Sequence, residues 1–224
     1  MKPKLLDLFC GAGGASMGYY KAGFEVEGVD IKPQPHYPFK FYQTDALEFP
    51  LEGYDAYHAS PPCQDYSVSK NLSPVDKSVK YPRLISPIRE RLMSTGKPYV
   101  IENVVGSELT DYITLDGTMF GLEMLRTRCF ELHGFEILML PGKYNSTRGW
   151  VKRGKLVGFI SHQGKFYNGK GYELERTKPD DIRKALKIDW IRGRQLTESI
   201  PPAYTEYIGK YLIKACEVES DIEL

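Results

Sequence analysis

The sequence lacks any apolar run near the ~20 residues that a membrane-spanning helix needs. Its first residues, MKPKLLDLFCGAGG, reach Asp7 and then glycines too soon for the apolar core of a secretory signal. It also has no internal repeat and no low-complexity tail. With 224 residues and ordinary apolar and charged fractions, we expect a cytoplasmic globular protein without membrane contact: one α/β domain with a small appendage.

Cysteine is scarce, and the four residues (Cys10, Cys63, Cys129 and Cys216) are scattered without a Cys-x-x-Cys pair. This pattern argues against a disulfide framework and against a zinc site, so we expect no metal. Cys10 and Cys129 lie in apolar, strand-like segments and Cys216 lies in a predicted C-terminal helix, which predicts small buried hydrophobic side chains. Cys63 differs, because it follows Ser-Pro-Pro at the end of a predicted strand.

The net charge is only +1, but the charge is unevenly placed. Residues 143–194 contain 14 Lys/Arg against 5 Asp/Glu, a local charge of +9 that leaves −8 for the remainder. A basic segment on a mildly acidic body indicates that one part of the molecule handles a polyanion. A solvated, irregular surface would give the same pattern, so charge alone leaves both interpretations open.

Strand-like and helical segments alternate in the first part of the chain. A glycine loop and an amphipathic stretch follow the first apolar run, and PRLISPIRERLMSTG has helical spacing. The predicted strands are KLLDLF (4–9), FEVEGVD (24–30), YDAYHA (54–59) and PYVIEN (98–103). Strands that alternate with helices predict an α/β fold with a doubly wound, mainly parallel sheet.

Regular patterning weakens after about residue 133. The later segment is rich in Gly, Lys, Tyr and Asn, with one strand-like interruption, LVGFI (156–160), and the chain ends in a helical stretch started by proline. We therefore predict a sheet domain over residues 1–133, a small basic insert over 134–194, and a helix within 195–224 that returns to the sheet domain.

The first predicted strand runs into a loop that contains Gly11, Gly13 and Gly14. Glycine permits a tight turn there and lets the backbone approach a ligand closely. Asp30 ends the second strand, where a carboxylate can accept hydrogen bonds from ribose hydroxyls, and Asp45 would end a third element within reach of an adenine amino group. The loop lacks the G-x-G-x-x-G pattern and the Walker lysine. This favours an adenosine ligand without phosphates, such as S-adenosylmethionine, over a purely structural turn.

A thiol after two prolines suggests covalent chemistry at a carbon atom. Carbon 5 of cytosine is a poor nucleophile, but adding the Cys63 thiolate to carbon 6 would make the ring an enamine that can attack a methyl group. Glu102, at the end of YVIE, is placed to protonate or hydrogen-bond ring nitrogen 3, and we expect its pKa to be raised near the apolar strand end. Asn103 would hold the glutamate or the loop, and Arg126 or Arg128 would contact the carbonyl oxygen. Each residue alone is compatible with a strand-end turn or a solvated edge; their joint fit to one reaction favours the chemistry.

Four motifs occur in order within roughly residues 4–133: DLFCGAGG, PPCQ, IENV and RTRCFE. Together they resemble the DNA (cytosine-5)-methyltransferase family in a compact prokaryotic or phage form. The resemblance implies a Rossmann-like methyltransferase fold, S-adenosylmethionine as cofactor with S-adenosylhomocysteine as product, and double-stranded DNA from which the target base is flipped out. It implies that Cys63 is the nucleophile, Glu102 the contact to ring nitrogen 3, Arg128 the contact to the carbonyl oxygen, and 134–194 the target-recognition region.

The resemblance also leads us to expect a monomer in a prokaryotic cell or phage-infected host, with a cognate restriction enzyme as a further partner. The sequence departs from the family pattern at Met124, where a glutamine is usual, and at Glu198, where an asparagine is usual. Further contacts are expected to the cofactor from Asp7, Phe9, Ile31, Pro62 and Ser199, and to the substrate from Gln64, Ser67, Lys152, Arg153 and Lys155.

Three alternatives remain at this point. The motif set is compatible with an RNA (tRNA) cytosine-5 methyltransferase, since relatives of this kind can act on tRNA. A folate-dependent pyrimidine nucleotide enzyme also uses a Pro-Cys thiol, although the glycine loop argues against it. An inactive nucleic-acid-binding relative would keep the basic segment, but the intact set of Cys63, Glu102 and Arg128 argues against it.

Overall fold

The computed structural model describes residues 1–63, 82–122, 124–140, 149–152, 155–160, 166–167, 179–193 and 195–222; for 149–152, 155–160, 166–167, 181 and 218–222 it describes the backbone alone. The strands are β1 (Lys4–Leu8), β2 (Glu25–Asp30), β3 (Lys40–Gln43), β4 (Ala56–Ala59), β5 (Tyr99–Asn103), β6 (Tyr112–Leu115), β7 (Met124–Leu125), β8 (Arg128–His133), β9 (Gly149–Lys152), β10 (Lys155–Ile160) and β11 (Phe166–Tyr167). The helices are α1 (Gly14–Ala22), α2 (Ile85–Met93), α3 (Pro179–Leu186), α4 (Gln195–Glu198) and α5 (Pro202–Ile222).

Seven strands form the main sheet in the order β3-β2-β1-β4-β5-β8-β6. The first five strands of this order pair in parallel, and β8 runs antiparallel to both β5 and β6. The chain moves outward from β1 through β2 to β3 and then returns to the other side of β1 with β4. The predicted α/β fold with a mainly parallel sheet is confirmed, and a ligand crevice is expected where the strand order reverses, at the carboxyl ends of β1 and β4.

Helices cover both faces of the sheet because the central strands are apolar on both sides. Leu5 of β1 belongs to one buried cluster, with Tyr19 of α1 and Tyr204 of α5. Leu6 of β1 belongs to a second buried cluster on the opposite face, with Ile88 of α2. Burial on both faces explains why neighbouring residues of β1 and of β5 are both apolar, since they belong to the two different clusters.

Helix α5 packs closely against α1 on one face of the sheet. A Cβ atom added at Gly18 of α1 would lie 2.0 Å from Thr205 Oγ1, so this helix pair needs glycine at the crossing. The Thr205 hydroxyl donates to the Ala15 carbonyl at 2.8 Å, which ties the two helices together. In the described part of the chain, no helix has both the length and the apolar character needed to cross a membrane.

A smaller antiparallel sheet has the order β11-β10-β9-β7. Its strand β10 contains the predicted LVGFI strand, and β9 pairs with β7, with Met124 opposite Trp150 and Leu125 opposite Gly149. The backbone of the basic segment is thereby joined to the stretch that leads directly into Arg126 and Arg128. The division at residues 133 and 194 stays a prediction.

Candidate active site at the carboxyl ends of the parallel strands

The candidate site lies where four neighbouring parallel strands end. Strands β2, β1, β4 and β5 are adjacent in the sheet, so the segments that follow them meet at one edge. The structure therefore brings the glycine loop after β1, Asp30 at the end of β2, the Pro-Pro-Cys segment after β4 and Glu102 at the end of β5 to the same edge. The sequence motifs converge there because parallel strands share their carboxyl ends.

The glycine loop, residues 9–14, has an unusual backbone. Phe9, Gly11 and Gly13 have φ angles of 59°, 49° and 84°, in the left-handed region that a bulky residue such as phenylalanine rarely adopts. The Gly11 amide donates to Asp30 Oδ2 at 3.0 Å, which ties the loop to the end of β2. A Cβ atom at Gly11 would meet no described atom within 4 Å, so open space lies beside the loop where a ligand can approach the backbone.

The loop after β2 supplies acceptors near the glycine loop. Asp30 Oδ1 accepts from the Lys32 amide at 2.9 Å, and each carboxylate oxygen keeps capacity for a further hydrogen bond, such as one from a ribose hydroxyl. The next side chain, Ile31, is 64% exposed and presents an apolar surface. Asp45 follows β3 and uses Oδ1 to accept from the Leu47 amide at 2.8 Å, which makes it a turn-forming residue as well as a candidate contact.

Asp7 is fully buried in β1 beneath the glycine loop. Its Oδ2 accepts a hydrogen bond from the Ser16 hydroxyl, which in turn accepts one from the Tyr37 hydroxyl at 2.8 Å. Within the described part of the chain, Asp7 Oδ1 has no hydrogen-bond partner. Burial raises the pKa of Asp7 to about 7; the Ser16 hydrogen bond opposes this rise, and the negative charges of Asp30 and Glu102 add to it. The orphaned oxygen, the open space at Gly11 and the Asp30 carboxylate together fit a polar ligand of the adenosine type.

The side chain of Asn103 holds the segment that carries Cys63 and is itself oriented by a local contact. Asn103 Nδ2 donates to the Pro61 carbonyl at 3.0 Å, and Asn103 Oδ1 accepts from the Val104 amide at 2.9 Å. The contact with Pro61 corresponds to the loop contact predicted for Asn103, and the role of Asn103 in the site stays a prediction. Cys63 is partly exposed at the end of this anchored segment, whereas burial raises the pKa of Cys10 and of Cys129. Gln64 and Ser67, predicted as substrate contacts, lie outside the described residues.

A buried chain of hydrogen bonds, which the sequence analysis did not identify, also holds the start of this segment. The Tyr19 hydroxyl and His58 Nδ1 are 2.9 Å apart, and His58 Nε2 and Ser60 Oγ are 2.9 Å apart. Burial lowers the pKa of His58 to about 3 and raises that of Tyr19, so the imidazole is neutral and the phenol keeps its proton. One ring nitrogen of the neutral imidazole donates and the other accepts, so His58 links the Tyr19 hydroxyl to the Ser60 hydroxyl and fixes the start of the Pro-Pro-Cys segment.

The two arginines of the RTR motif point to different partners. Arg128 Nε lies 2.9 Å from Glu102 Oε1, and Arg128 Nη1 donates to the Thr127 carbonyl at 2.9 Å. Arg126 Nη2 instead donates to the Thr197 carbonyl at 2.8 Å. Arg128 is thus joined to the predicted acid, whereas Arg126 contacts the segment before α5.

Ser199 lies beside the glycine loop. A Cβ atom at Gly14 would be 2.5 Å from the Ile200 carbonyl oxygen and 3.3 Å from Ser199 Cβ, so the backbones approach closely there. The buried Ser199 hydroxyl donates to the Gln195 carbonyl at 2.7 Å, and Glu198 is exposed. Ser199 is therefore near the predicted cofactor loop through packing, with its hydroxyl proton engaged locally.

Two more residues at the site were missed by the sequence analysis. The Trp190 indole Nε1 donates to the Ala12 carbonyl of the glycine loop at 2.9 Å, and Gln195 Nε2 donates to Gln34 Oε1 in the loop after β2. The sequence did contain one signal that this part of the chain is buried, namely the regularly spaced apolar residues through 182–191 inside an otherwise basic segment. That spacing corresponds to a cluster packed on Ala12.

Of the three basic residues predicted to contact the substrate, two lie among the described residues, with their backbone alone described. Lys152 and Lys155 end β9 and begin β10 and stand opposite each other in the register. Arg153 lies outside the described residues. Among the described residues, no group of three or more His, Cys, Asp or Glu side chains could hold a metal ion.

Comparison with known proteins places this geometry among methyltransferases. No family model matches the chain. The type II methyltransferase M.HindV of Haemophilus influenzae is 25% identical over 220 residues, spanning 79% of this chain and 71% of that protein. This similarity supports a DNA cytosine methyltransferase-like family for the chain. The resemblance stated from the motifs is thereby confirmed at the level of the family, and the relative indicates a methyltransferase.

Two solved structures share the fold of this chain. One is described as a DNA modification methyltransferase encoded within an E. coli prophage; it is 17% identical, with a TM-score of 0.60, and the match covers 93% of this chain and 98% of that one. The other is S. pombe Dnmt2, 13% identical with a TM-score of 0.52 over 98% of this chain and 99% of that one. The Rossmann-like methyltransferase fold is therefore confirmed.

Proposed function

We propose that this protein transfers a methyl group from S-adenosylmethionine to carbon 5 of a flipped-out cytosine in double-stranded DNA, through a covalent adduct with Cys63. The observation that carries the proposal is the pair of contacts made by neighbouring residues of β5. Asn103 holds the Pro61 carbonyl, two residues before Cys63, while Glu102 is joined to Arg128. These contacts support a site in which a thiol, a carboxyl and a guanidinium act together at the end of one strand.

The cofactor side of the site would use the glycine loop and Asp30. Backbone close to the open space at Gly11 would contact the ligand, and the Asp30 carboxylate would accept hydrogen bonds from ribose hydroxyls while it keeps the loop in place. Exposed Ile31 would pack against the adenine ring, and the Asp7 carboxyl beneath the loop would pair with a polar group. S-adenosylmethionine, when bound there, supplies an electrophilic methyl group.

The base side would act on the cytosine ring. The Cys63 thiolate adds to carbon 6, while Glu102 donates a proton or hydrogen bond to ring nitrogen 3 and Arg128 contacts the carbonyl oxygen. Carbon 5 then gains the electron density needed to attack the methyl group. As carbon 5 bonds to the methyl carbon, the methyl–sulfur bond breaks and its electron pair stays on the sulfur of the departing S-adenosylhomocysteine. Loss of the carbon 5 proton to solvent, departure of the cysteine sulfur from carbon 6 and return of any nitrogen 3 proton to Glu102 then restore the aromatic ring and release the thiolate.

DNA is proposed as the substrate for two reasons. One is the methyltransferase relative. The other is that the basic segment can neutralise phosphates and is joined, through the pairing of β9 with β7, to the stretch that leads into Arg126 and Arg128. Duplex DNA and tRNA should be offered in parallel, with transfer of a radiolabelled methyl group as the readout. Methyl transfer to tRNA alone would show that the substrate is RNA and not DNA, and the proposed chemistry at cytosine would be unchanged. Bisulfite sequencing of DNA from cells that express the protein tests base and context together.

The nucleophile is tested by Cys63→Ser, with Cys216→Ser on α5 as the matched control. A serine hydroxyl is far less ionised than a thiol at neutral pH, so methyl transfer should be abolished in the first variant and retained in the second. With S-adenosylmethionine present, wild type and Cys216→Ser should form a stable adduct with DNA that contains 5-fluorocytosine, and Cys63→Ser should form none. Methyl transfer by Cys63→Ser would remove Cys63 from the proposed role.

A further inference from the structure

The stretch between α3 and α5 contacts several separate parts of the candidate site. We call residues 188–193 and 195–200 the bracing segment. It lies at the end of the basic region in the sequence, and its apolar side chains Ile188, Ile191 and Leu196 are buried in a cluster that also contains Ala12 of the glycine loop. A segment far along the chain from residue 12 is thus packed on the loop proposed to hold the cofactor.

The first contact of the bracing segment is with the backbone of the glycine loop. Trp190 Nε1 donates to the Ala12 carbonyl at 2.9 Å. The neighbouring Gly11 amide is held by Asp30 Oδ2 at 3.0 Å, and the Gly13 amide donates to the Cys10 carbonyl at 3.0 Å. Three successive residues of the loop are therefore each tied by a hydrogen bond, and Trp190 supplies the one that comes from a distant part of the chain.

The second contact is with the loop that follows β2. Gln195 Nε2 donates to Gln34 Oε1, and Gln34 is buried four positions after Asp30. The close approach of Gly14 to the Ile200 carbonyl adds direct backbone packing at the start of α1. The bracing segment therefore touches both loops that would face the cofactor.

The third contact reaches the side of the site proposed to bind the base. The Thr197 carbonyl accepts from Arg126 Nη2 at 2.8 Å, and Arg126 is two residues before Arg128, the partner of Glu102. A single short stretch of chain thus bridges the glycine loop, the loop after β2 and the segment between β7 and β8 that contains Arg126.

We propose that Trp190 and Gln195 are positioning residues that hold the two cofactor-side loops in their binding conformation; this rests on the proposed function. The glycine loop contains three residues with left-handed φ angles, including the non-glycine Phe9, and such a backbone persists only where its surroundings fix it. When only a fraction of molecules has the competent loop, the apparent affinity falls by that fraction. Removing the Trp190 hydrogen bond should therefore weaken cofactor binding even though Trp190 itself would not touch the cofactor.

The test uses Trp190→Phe, which keeps an aromatic ring in the cluster and removes the N–H donor. Ile182→Val, which trims a buried side chain of the same cluster, is the matched control. Calorimetric titration with S-adenosylhomocysteine should show a dissociation constant raised roughly 3- to 10-fold in Trp190→Phe, the range expected for one neutral hydrogen bond, and unchanged in the control. Gln195→Met removes the hydrogen bond to buried Gln34 and should weaken S-adenosylhomocysteine binding by a similar factor. This variant provides the test if Trp190→Phe does not fold.

Two further readouts separate positioning from general stability. In the protein without cofactor, backbone amides of residues 9–14 should exchange hydrogen faster in Trp190→Phe than in wild type, and should be unchanged in Ile182→Val. In turnover assays, the KM for S-adenosylmethionine should rise while kcat and the KM for DNA stay within about twofold of wild type.

Unchanged S-adenosylhomocysteine affinity and unchanged amide exchange in Trp190→Phe and Gln195→Met, with only a lower melting temperature, would overturn the inference and leave the proposed function intact. A wild-type protein that binds no S-adenosylhomocysteine would instead overturn the proposed function, and the inference with it.

Discussion

The Nε atom of Arg128 lies 2.9 Å from Oε1 of Glu102, and each side chain is only 7% exposed. The guanidinium favours the ionised carboxyl, whereas burial favours the neutral one. The predicted rise in the pKa of Glu102 therefore depends on how strongly the ion pair opposes burial, and it stays a prediction. When a cytosine enters, Arg128 can turn a second N–H toward the carbonyl oxygen, because the guanidinium has five donors in a fixed plane.

Glu102→Gln should keep a hydrogen-bonding side chain but lose the ability to donate a proton to ring nitrogen 3. Turnover should fall roughly 10²–10⁴-fold, the usual scale of general acid–base catalysis, with much less change in DNA affinity. Single-turnover methyl transfer and equilibrium DNA binding are the two measurements. Equal losses in both would make Glu102 a residue that only positions the base.

Arg128→Met should destabilise the fold by leaving the Glu102 carboxylate buried without its cation. A cost of about 3–5 kcal/mol is typical when one member of a buried pair is removed. The double variant with Glu102→Gln should recover much of this loss, since no charge is then left unpaired. Urea unfolding of the two single variants and the double variant measures the coupling, and additive losses would mean that the pair contributes nothing jointly.

Asp7 should make stability depend on pH in the unusual direction for a carboxyl group. Its pKa is about 7 in the folded protein against 3.8 ordinarily, so folding favours the protonated form. This contribution is complete below pH ~4 and is lost as the pH rises toward 7. The free energy of unfolding of Asp7→Asn minus that of wild type should therefore increase by roughly 2–3 kcal/mol from pH 5 to pH 7. Urea unfolding without cofactor measures this difference. Parallel stability curves for the two proteins would contradict the shift.

Asp30→Ala should weaken cofactor binding through two effects at once. The carboxylate holds the Gly11 amide through Oδ2 and the Lys32 amide through Oδ1, so its removal frees the glycine loop and also eliminates the ribose acceptor. We expect S-adenosylhomocysteine affinity to fall by more than the roughly 3- to 10-fold of a single hydrogen bond. An unchanged dissociation constant by calorimetry would remove Asp30 from the proposed ribose site.

Much of the fold and the edge of the sheet that holds the site could be predicted from local sequence. Strands β1, β2, β4 and β5 appear in the sequence as short strand-like segments, and each ends in or is followed by one of the polar site residues. Because parallel strands end at the same edge, predicting a parallel sheet was enough to place Asp30, Cys63 and Glu102 at one edge, while the neighbouring positions of their strands come from the structure. The predicted burial of Cys10 and Cys129 is also confirmed, whereas Cys216 on α5 is only partly buried.

The contacts that join distant parts of the chain could not be predicted in the same way. Trp190 and Ala12 are 178 positions apart, and no local pattern indicates that an indole from the basic region reaches the glycine loop. The different partners of Arg126 and Arg128 likewise depend on where α4 lies. The antiparallel position of β8 between β5 and β6 follows from packing of the whole sheet, which a short apolar run does not specify.

The basic region should supply DNA affinity through charge. Lys152 ends β9 and Lys155 begins β10 as register partners, with Arg153 between them in the sequence, so three cationic residues occur within four positions. Replacing all three with Ala should weaken DNA binding across all sequences, because phosphate contacts carry no base information. The slope of log affinity against log salt should flatten by roughly 0.9 for each phosphate that the variant no longer neutralises.

The matched control replaces Lys2, Lys40 and Lys210 with Ala, which removes the same charge from other parts of the chain; Lys40 and Lys210 are paired there with Glu27 and Glu206. Its salt slope should stay at the wild-type value, since the slope depends on the phosphates that are neutralised and these lysines lie outside the basic region. So short a recognition region can read few base edges, and we expect a site of about four base pairs or fewer. If the salt slope is the same in both triple variants and in wild type, the basic region is a solvated surface and DNA binds elsewhere on the protein.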